Sequence, residues 1–334
     1  MTGRRSEGSP AGGRAAAAPA SPLAPEELEA RLLAVLDERY HHRHPFNLRM
    51  HAGELSPEEL RCWVRNRYYY QTRIPTKDSV ILAKATDPAF RREWVRRLHD
   101  HDGRAPGEGG LELWLRLAEA VGLDRDEVAG LRAVLPGVRR ACDAYVEFVA
   151  GHDLLESVAA SLTERAAGEI MRVRIEAFRR HYPWVASEGL RYFETRTEQA
   201  PRDARFGLAF VLEHARTAEA QGRALRALER KCEILWGLLD AVEEGSRPLR
   251  VASRVLLRDH PAAPPGGGMA VLPERAVELN ATAREILELA DGSRGLDGLV
   301  VEMARRRPGA EDVAGEVDAF VREMLHLGVL EHAA

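Results

Sequence analysis

Positively charged side chains stand on the apolar stripes of several predicted helices, at positions where a core helix normally carries leucine or valine. Counting from Leu60 in steps of three and four residues leads to Val64, Arg67 and Gln71. The guanidinium and the amide therefore face inward together with the apolar residues. A fold built from such helices has to enclose these polar groups and provide partners for them.

The same pattern recurs on four further predicted helices. Arg174, for example, lies four residues from both Ile170 and Phe178. Lys231 follows Leu228 by three residues, in a chain whose only other lysines are at positions 77 and 84. The inward-facing polar residues of these four helices are Arg97, His101, Arg174, Tyr192, Arg196 and Lys231.

A single arginine on an apolar stripe is commonly a snorkelling side chain or half of a structural ion pair. Several together favour another interpretation, because an unpaired buried cation is costly and these stripes carry few acidic residues that could neutralise all of them. At an effective dielectric constant of about 20, a carboxylate about 4 Å from a cation gains about 4 kcal/mol. We therefore predict an enclosed pocket for a ligand with several carboxylates, oriented by arginine forks and by Gln71.

Proton transfer needs an acceptor, and His101 is the candidate because it extends the inward stripe of Arg97. Neighbouring cations would keep its imidazole neutral at physiological pH, so that it can act as a general base. The alternative is a structural histidine of the core. The motif LHDHDG at 98–103 is weak as a metal site.

A second concentration of histidines lies at 40–51, in the sequence YHHRHPFNLRMH. We expect extended chain ahead of the next helix, because Pro45 restricts the residue before it. Metal binding is the weaker interpretation, since the chain lacks both a Glu-x-x-His pair on facing helices and a helical spacing of three histidines.

The chain divides into segments that differ in composition and in hydrophobic periodicity. Residues 1–24, rich in alanine, proline and glycine, are predicted to be a disordered tail. Residues 25–244 show helical periodicity, with a capping box at 56–59. After a linker at 245–250, residues 251–334 combine short β-like runs with three predicted helices, one starting at Asn280 or Thr282, one near 296–306 and one at about 311–327. The fold class is therefore an all-α bundle followed by a small α+β domain.

Several function classes are excluded by composition. The net charge is −4, and no basic face lacks acidic neighbours, which argues against nucleic acid as a partner. No apolar run approaches the roughly 18 residues of a membrane helix. Cys62, Cys142 and Cys232 are widely spaced, so neither a disulfide framework nor a zinc site is indicated, and a reducing cytoplasm is the expected location.

Longer motifs extend across residues 40–243, among them VRNRYYYQTRIPTKD, RRLHDHDG, GLELWLRLAEAVGL and KCEILWGLLDAV. Together they resemble the pyrroloquinoline-quinone synthase (PqqC) family. The C-terminal segment, with VLLRD and VELNATAREILELADGSRGLDGLV, resembles the PqqD family of small precursor-peptide chaperones. Both families belong to one pathway, so the two resemblances support each other.

The first resemblance implies a heme-oxygenase-like bundle of about seven helices that forms a homodimer. It implies ring closure and multi-electron oxidation of a polycarboxylate precursor by molecular oxygen, with pyrroloquinoline quinone and hydrogen peroxide as products and with no metal or redox cofactor. Motif matching implies His101 as the principal acid/base and Tyr145, Tyr192 and Arg196 near the oxygen site. The implied substrate contacts are Tyr40, His41, Arg67, Gln71, Arg97, Arg174 and Lys231.

The sequence departs from the family pattern after SLTE, where Arg165-Ala166-Ala167-Gly168 replaces Leu-Phe-Ala-Pro. Met171 stands where the family carries an active-site histidine, and Arg205-Phe206 replaces a Glu-His pair. These departures leave open a catalytically altered or inactive paralogue that binds an anionic quinone or related ligand; a metal or heme enzyme on the same bundle is a weaker alternative.

The second resemblance implies a winged-helix-like module that captures the leader of a precursor peptide by adding it as a strand to the small sheet. A radical-SAM enzyme of the pathway is then an expected partner of this domain. The alternative is a plain accessory or dimerisation domain.

Overall fold

The computed structural model describes residues 21–261 and 263–333. Most of the predicted disordered tail, residues 1–20, lies outside the described residues. Residues 21–24 are described, and they lead into the first helix.

A helical domain occupies the first part of the described chain. Its α-helices are α1 (Pro25–Arg39), α2 (Pro45–Ala52), α3 (Pro57–Lys84), α4 (Pro88–Asp102), α5 (Gly109–Ala120), α6 (Arg125–Ala129), α7 (Pro136–Gly151), α8 (Leu154–Ala160), α9 (Glu164–His181), α10 (Arg191–His214) and α11 (Ala218–Ser246). Within the described chain, eight of these have twelve or more residues, close to the expected number of about seven. The all-α bundle is confirmed.

The long central helix α3 begins where the sequence predicts. Ser56 accepts a hydrogen bond from the backbone of Glu59, whose side chain accepts one from the Ser56 backbone, with Pro57 at the first helical position. The helix packs against α4, α5, α7 and α11. Edge-to-face aromatic pairs such as Trp63 with Trp114, whose ring centroids are 5.4 Å apart, fill the core beside it.

The segment at 40–51 differs from its prediction as extended chain. It forms a 3₁₀ turn at His41–Arg43 and then helix α2. Proline fits the first turn of a helix, so Pro45 starts α2. Nδ1 of His44 accepts a hydrogen bond from the backbone of Phe46 at 3.1 Å and caps the helix. Pro45 restricts only His44, which is extended with a ψ of 134°; the prediction was wrong for the residues on either side, which are free to form the 3₁₀ turn and α2.

The described part of the small domain, residues 249–261 and 263–333, contains six short strands and three helices. The strands are β1 (Leu249–Val251), β2 (Leu256–Arg258), β3 (Gly268–Val271), β4 (Ala276–Leu279), β5 (Asp291–Arg294) and β6 (Leu330–His332), and the helices are α12 (Ala281–Leu289), α13 (Leu296–Arg306) and α14 (Val313–His326). The strands form two antiparallel three-stranded sheets, in the orders β5-β1-β6 and β2-β3-β4. The run RVASRVLLRD thus contributes to two different sheets, and β1 begins inside the predicted linker.

The small domain docks on the bundle. Gly295, which precedes α13, approaches the end of α11 so closely that a Cβ atom there would lie 2.5 Å from the carbonyl oxygen of Gly245. Arg132 of the bundle donates a 2.9 Å hydrogen bond to the carbonyl oxygen of Arg307, and Arg305 pairs with Glu127 at the surface. Among the described residues, no helix is long and apolar enough to cross a membrane.

Candidate active site

The bundle buries all eleven of the residues that the sequence analysis selects, and none of them is more than 8% exposed. They come from six helices and from the 3₁₀ turn with the residue before it. The residues are Tyr40, His41, Arg67, Gln71, Arg97, His101, Tyr145, Arg174, Tyr192, Arg196 and Lys231. Direct contact links residues from separate helices: the hydroxyl of Tyr192 on α10 donates a 2.8 Å hydrogen bond to Oε1 of Gln71 on α3.

Two of the predicted arginines already have carboxylate partners: Arg97, predicted to contact the substrate, and Arg196, predicted to lie near the oxygen site. Arg97 contacts Asp78 at 3.3 Å, Glu164 at 3.1 Å and Asp203 at 3.2 Å. Arg196 pairs with Glu164 and lies 3.7 Å from Asp203. The expectation that these stripes carry too few carboxylates was therefore wrong for Arg97 and Arg196, because Asp78, Glu164 and Asp203 continue the stripes of α3, α9 and α10. We call these five residues the ion-pair cluster.

The electrostatics of this cluster follow from burial and proximity. Burial alone would raise the pKa of Glu164, but the positive charges of Arg196 and Arg97 outweigh it and lower the pKa to about 2. Burial alone would lower the pKa of Arg97, yet the nearby carboxylates raise it. All members of the cluster with a shifted pKa are thus held in their charged forms.

A second set of cations has no such partners. Among the described residues, no carboxylate lies within salt-bridge distance of Arg67, Arg174 or Lys231. The guanidinium of Arg67 stands over the ring of Tyr70, 4.1 Å from its centroid, and its Nη1 is buried without a hydrogen-bond partner in the described chain. Such cations are costly to bury unless an anion joins them.

Arg174 donates a 3.1 Å hydrogen bond to Oδ1 of Asn47 and lies 5.0 Å from the ring of Trp63. Its Nε has no hydrogen-bond partner within the described residues. Burial, together with the charge of Arg67, lowers the pKa of Arg174 to about 9. The side chain therefore stays protonated at neutral pH and available to an anion.

Lys231 lies among aromatic rings. Its Nζ donates a 2.9 Å hydrogen bond to the hydroxyl of Tyr70 and stands 3.5 Å from the ring centroid of Tyr145. Burial lowers the pKa of Lys231 well below its ordinary value, and the charges of Arg67 and Lys77 lower it further. A negatively charged ligand nearby would favour the protonated amine.

The two unpaired arginines, Arg67 and Arg174, are separated from the ion-pair cluster along their helices. On α3, Arg67 precedes Asp78 by eleven residues, about 16 Å at a rise of about 1.5 Å per residue. On α9, Arg174 follows Glu164 by ten residues, about 15 Å. Both helices thus place an unpaired arginine at a distance from the ion-pair cluster. We call the buried region that contains the eleven residues the chamber.

Two histidines present free ring nitrogens here. Nδ1 of His101 lies 3.1 Å from the carbonyl oxygen of Arg97, and because a carbonyl only accepts, Nδ1 carries the proton. Nε2 of His101 then has a lone pair, and it is buried with no partner among the described residues. Burial and the charge of Arg196 lower the pKa of His101 to about 4, so the imidazole is neutral at pH 7.

His41 has the opposite tautomer. Its Nδ1 accepts a 2.8 Å hydrogen bond from Nδ2 of Asn47, an amide whose oxygen accepts from Arg174. Nε2 of His41 therefore carries the proton, and in the described chain it finds no acceptor. Burial lowers the pKa of His41 well below its ordinary value, as do Arg67 and Arg174. One histidine can accept a proton and the other can donate a hydrogen bond.

Sequence reasoning missed several polar residues of the site, and one signal was available. Glu164 lies on the α9 stripe that passes through Met171 to Arg174 in steps of seven and three. Met171 is itself 8% exposed and offers no proton. The same signal was available for Asp78 and Asp203, which lie seven residues beyond Gln71 on α3 and Arg196 on α10. The other missed residues are Asn47, Tyr70, Lys77 and Ser161. Within the described residues, no three His, Cys, Asp or Glu side chains are grouped to hold a metal ion.

Comparison with solved structures defines the class of the bundle. A domain with a heme oxygenase-like fold from Shewanella denitrificans aligns with a TM-score of 0.55 at 13% identity, covering 66% of this chain and 92% of that one. A TenA homologue from Pseudomonas syringae aligns with a TM-score of 0.53 at 15% identity, covering 70% and 97%. The bundle therefore has the heme-oxygenase-like fold, as expected.

Sequence comparison gives the particular family. The TENA/THI-4/PQQC family matches residues 30–241, and coenzyme PQQ synthesis protein D (PqqD) matches residues 268–330. The pyrroloquinoline-quinone synthase of Gluconobacter oxydans is 48% identical over 221 residues, 66% of this chain and 92% of that protein. The protein of the same name from Pseudomonas aeruginosa is 51% identical over 204 residues, 61% and 81% of the two chains. The chain belongs to the TENA/THI-4/PQQC family and carries a PqqD domain behind its bundle.

Proposed function

We propose that the chain is an oxygen-dependent, cofactorless oxidase that completes pyrroloquinoline quinone from a polycarboxylate precursor. The relatives that are about half identical across most of their length carry the name pyrroloquinoline-quinone synthase and support an enzyme of this pathway. The observation that carries the proposal is the set of buried cations without carboxylate partners in the described chain, Arg67, Arg174 and Lys231.

The proposed substrate supplies the missing negative charge. Its carboxylates pair with Arg67 and Arg174, whose Nη1 and Nε have unfilled hydrogen-bonding capacity. The Nε2–H of His41 donates to a substrate oxygen, and Gln71 completes the polar contacts. Binding therefore turns a costly set of buried charges into a paired one.

Chemistry takes place at the other histidine. Nε2 of His101 takes a proton from the bound precursor, since its imidazole is neutral at pH 7 and its Nδ1–H is held by the Arg97 carbonyl. The resulting enolate-like anion is electron-rich and reduces oxygen. Each two-electron step removes two hydrogens from the substrate and converts one O₂ to one H₂O₂, so electrons and protons balance without another redox partner.

The test is to incubate the metal-free protein with the quinone precursor and oxygen and to follow product absorbance. His101→Asn is assayed beside the unsubstituted protein. We expect product in the first sample and slowed turnover in the second. Equal turnover in both would remove His101 from its assigned role.

A second candidate function is favoured by Met171, because a thioether cannot replace a proton-handling histidine. The chain would then be a catalytically altered or inactive binding protein for an anionic quinone or related ligand. Oxygen consumption in a single turnover of anaerobically bound precursor separates the two: none supports the binding protein, and a stoichiometric burst supports the oxidase.

The PqqD domain extends the proposal to a peptide and to pathway partners. The sheet β2-β3-β4 leaves β2 and β4 at its edges, so a leader peptide can be added as a further strand. Leu256 on β2 is 53% exposed and offers an apolar contact to such a strand. Calorimetric titration of the full chain with the precursor peptide, against a scrambled peptide, tests this. A radical-SAM enzyme as partner, a homodimer and a cytoplasmic location complete the proposal, and sedimentation analysis tests the dimer.

A further inference from the structure

Asp297 of the small domain reaches a buried position against helix α3 of the bundle. Its Oδ1 accepts a 2.8 Å hydrogen bond from Nδ2 of Asn66, and its Oδ2 pairs with the guanidinium of Arg65. All three residues are buried, with exposed fractions of 8% or less. The contact joins residues that are more than 230 positions apart in the sequence.

Asn66 connects this contact to a third element. Its Nδ2 also donates a 2.9 Å hydrogen bond to the carbonyl oxygen of Cys62, and its Oδ1 accepts one of 2.8 Å from the backbone of Leu135, which precedes α7. Each polar atom of the Asn66 side chain is therefore used. The bond to Cys62 lies within α3, while the bonds to Asp297 and from Leu135 hold α3 against the small domain and the start of α7.

Arg67, one of the chamber residues, directly follows Arg65 and Asn66 in the sequence. Successive residues of an α-helix are about 100° apart, so Arg65 and Arg67 point to nearly opposite sides of α3. Gln71 lies one turn beyond Arg67 on the same side. The helix thus presents one face to the small domain and the other to the chamber, within three consecutive residues.

Small rotations of α3 would displace its chamber face. A side-chain head group lies about 6 Å from the helix axis, so a rotation of about 10° moves it by about 1 Å. Displacements of about 1 Å are enough to weaken recognition and catalysis strongly. A cleft of about 690 Å³ opens beside Asp297.

We propose that Asp297 is a positioning residue for the chamber, and that the small domain thereby sets the direction in which Arg67 and Gln71 point. This inference rests on the proposed function, since it assigns Arg67 to the carboxylates of the ligand. The small domain is then a structural part of the synthase site as well as a module for the peptide.

The test uses the full chain and pyrroloquinoline quinone as the probe. Asp297→Asn keeps the shape of the side chain but leaves Arg65 buried without its counter-charge. We expect the dissociation constant of the quinone and the KM of the precursor to rise about tenfold, with kcat per folded molecule changed less than about threefold, because His101 lies on another helix.

The matched control is Glu244→Gln, which removes the exposed pair with Arg322 between the same two domains and is expected to leave binding unchanged. The double variant Arg65→Gln with Asp297→Asn restores a neutral hydrogen bond, and its affinity is expected to return to within about threefold of the original chain. If Asp297→Asn does not fold, Asn66→Ser gives the same readout with the ion pair retained.

The possible outcomes are distinct. Quinone binding that is the same in the original chain, in Asp297→Asn and in Asn66→Ser would overturn the positioning role while leaving the proposed function intact. A loss of stability in Asp297→Asn with affinity and KM per folded molecule unchanged would reduce Asp297 to a structural contact and overturn it too. No quinone binding by the original chain would defeat the proposed function, and this inference with it.

Discussion

Replacing Glu164 by glutamine should destabilise the bundle at neutral pH. The side chain joins Arg97 and Arg196, and the substitution keeps its shape while removing the negative charge that both arginines share. Two guanidinium groups are then left with less counter-charge in a buried region, which is strongly destabilising.

The magnitude follows from the pKa of the carboxyl group. It falls from an ordinary value of 4.5 to about 2, and at about 1.4 kcal/mol per pH unit this difference corresponds to about 3 kcal/mol. The Glu164 side chain is 15% exposed, so little of this is lost to solvent screening. Because the folded-state pKa is depressed, the stabilisation is complete above pH 4.5 and is lost as the pH falls towards 2.

Urea unfolding of both chains, followed by circular dichroism between pH 7 and pH 2.5, measures the effect. We expect the free energy of unfolding to differ by about 3 kcal/mol at pH 7 and the difference to shrink steadily below pH 4.5. The control is Glu169→Gln on the same helix, whose side chain is 74% exposed and pairs with Arg172; it should change stability by less than about 0.5 kcal/mol. A Glu164→Gln variant as stable as this control at pH 7 would refute the reasoning.

Further predictions concern other parts of the molecule. His101→Asn should lower turnover by about 10²–10⁴ and leave quinone affinity within about threefold, measured by stopped-flow absorbance and titration; a parallel loss of affinity would contradict a role in proton transfer. Lys231→Met should raise the free energy of unfolding at pH 7 by about 1–3 kcal/mol and weaken quinone binding. Because burial lowers the pKa of Lys231 in the folded chain, the free-energy cost of burying this lysine is present at pH 7 and fades as the pH approaches 10.5. If urea unfolding shows the same gain in stability for Lys231→Met at pH 7 and at pH 9.5, this explanation is contradicted. Gly295→Val should loosen the small domain, seen as faster proteolysis near residue 247, because a side chain cannot fit against the carbonyl oxygen of Gly245.

Helical periodicity is the reason that the inward positions of the chamber could be predicted. Residues three and four apart share a face, so the burial of Arg67, Gln71 and Arg174 follows from their apolar neighbours on the same stripe. The fold of the bundle and the family were also predicted from the sequence, and both are confirmed.

The pairing of charges could not be predicted in the same way. Asp78, Glu164 and Asp203 reach Arg97 from three other helices, and the spacing of residues within one helix does not tell which helices face each other. The docking of Asp297 against Arg65 has the same origin, since the two residues are 232 positions apart. The roles assigned to the eleven site residues stay predictions.

The distance between the unpaired arginines and the ion-pair cluster gives the chamber a polarity. One end carries surplus positive charge, while the other, next to His101, is electrically compensated. An elongated ligand whose carboxylates lie mainly at one end would bind in one orientation. Its less charged carbon framework would then lie beside the imidazole of His101. Regioselectivity would then arise from an electric field fixed by two helices, before any atom of the ligand reacts.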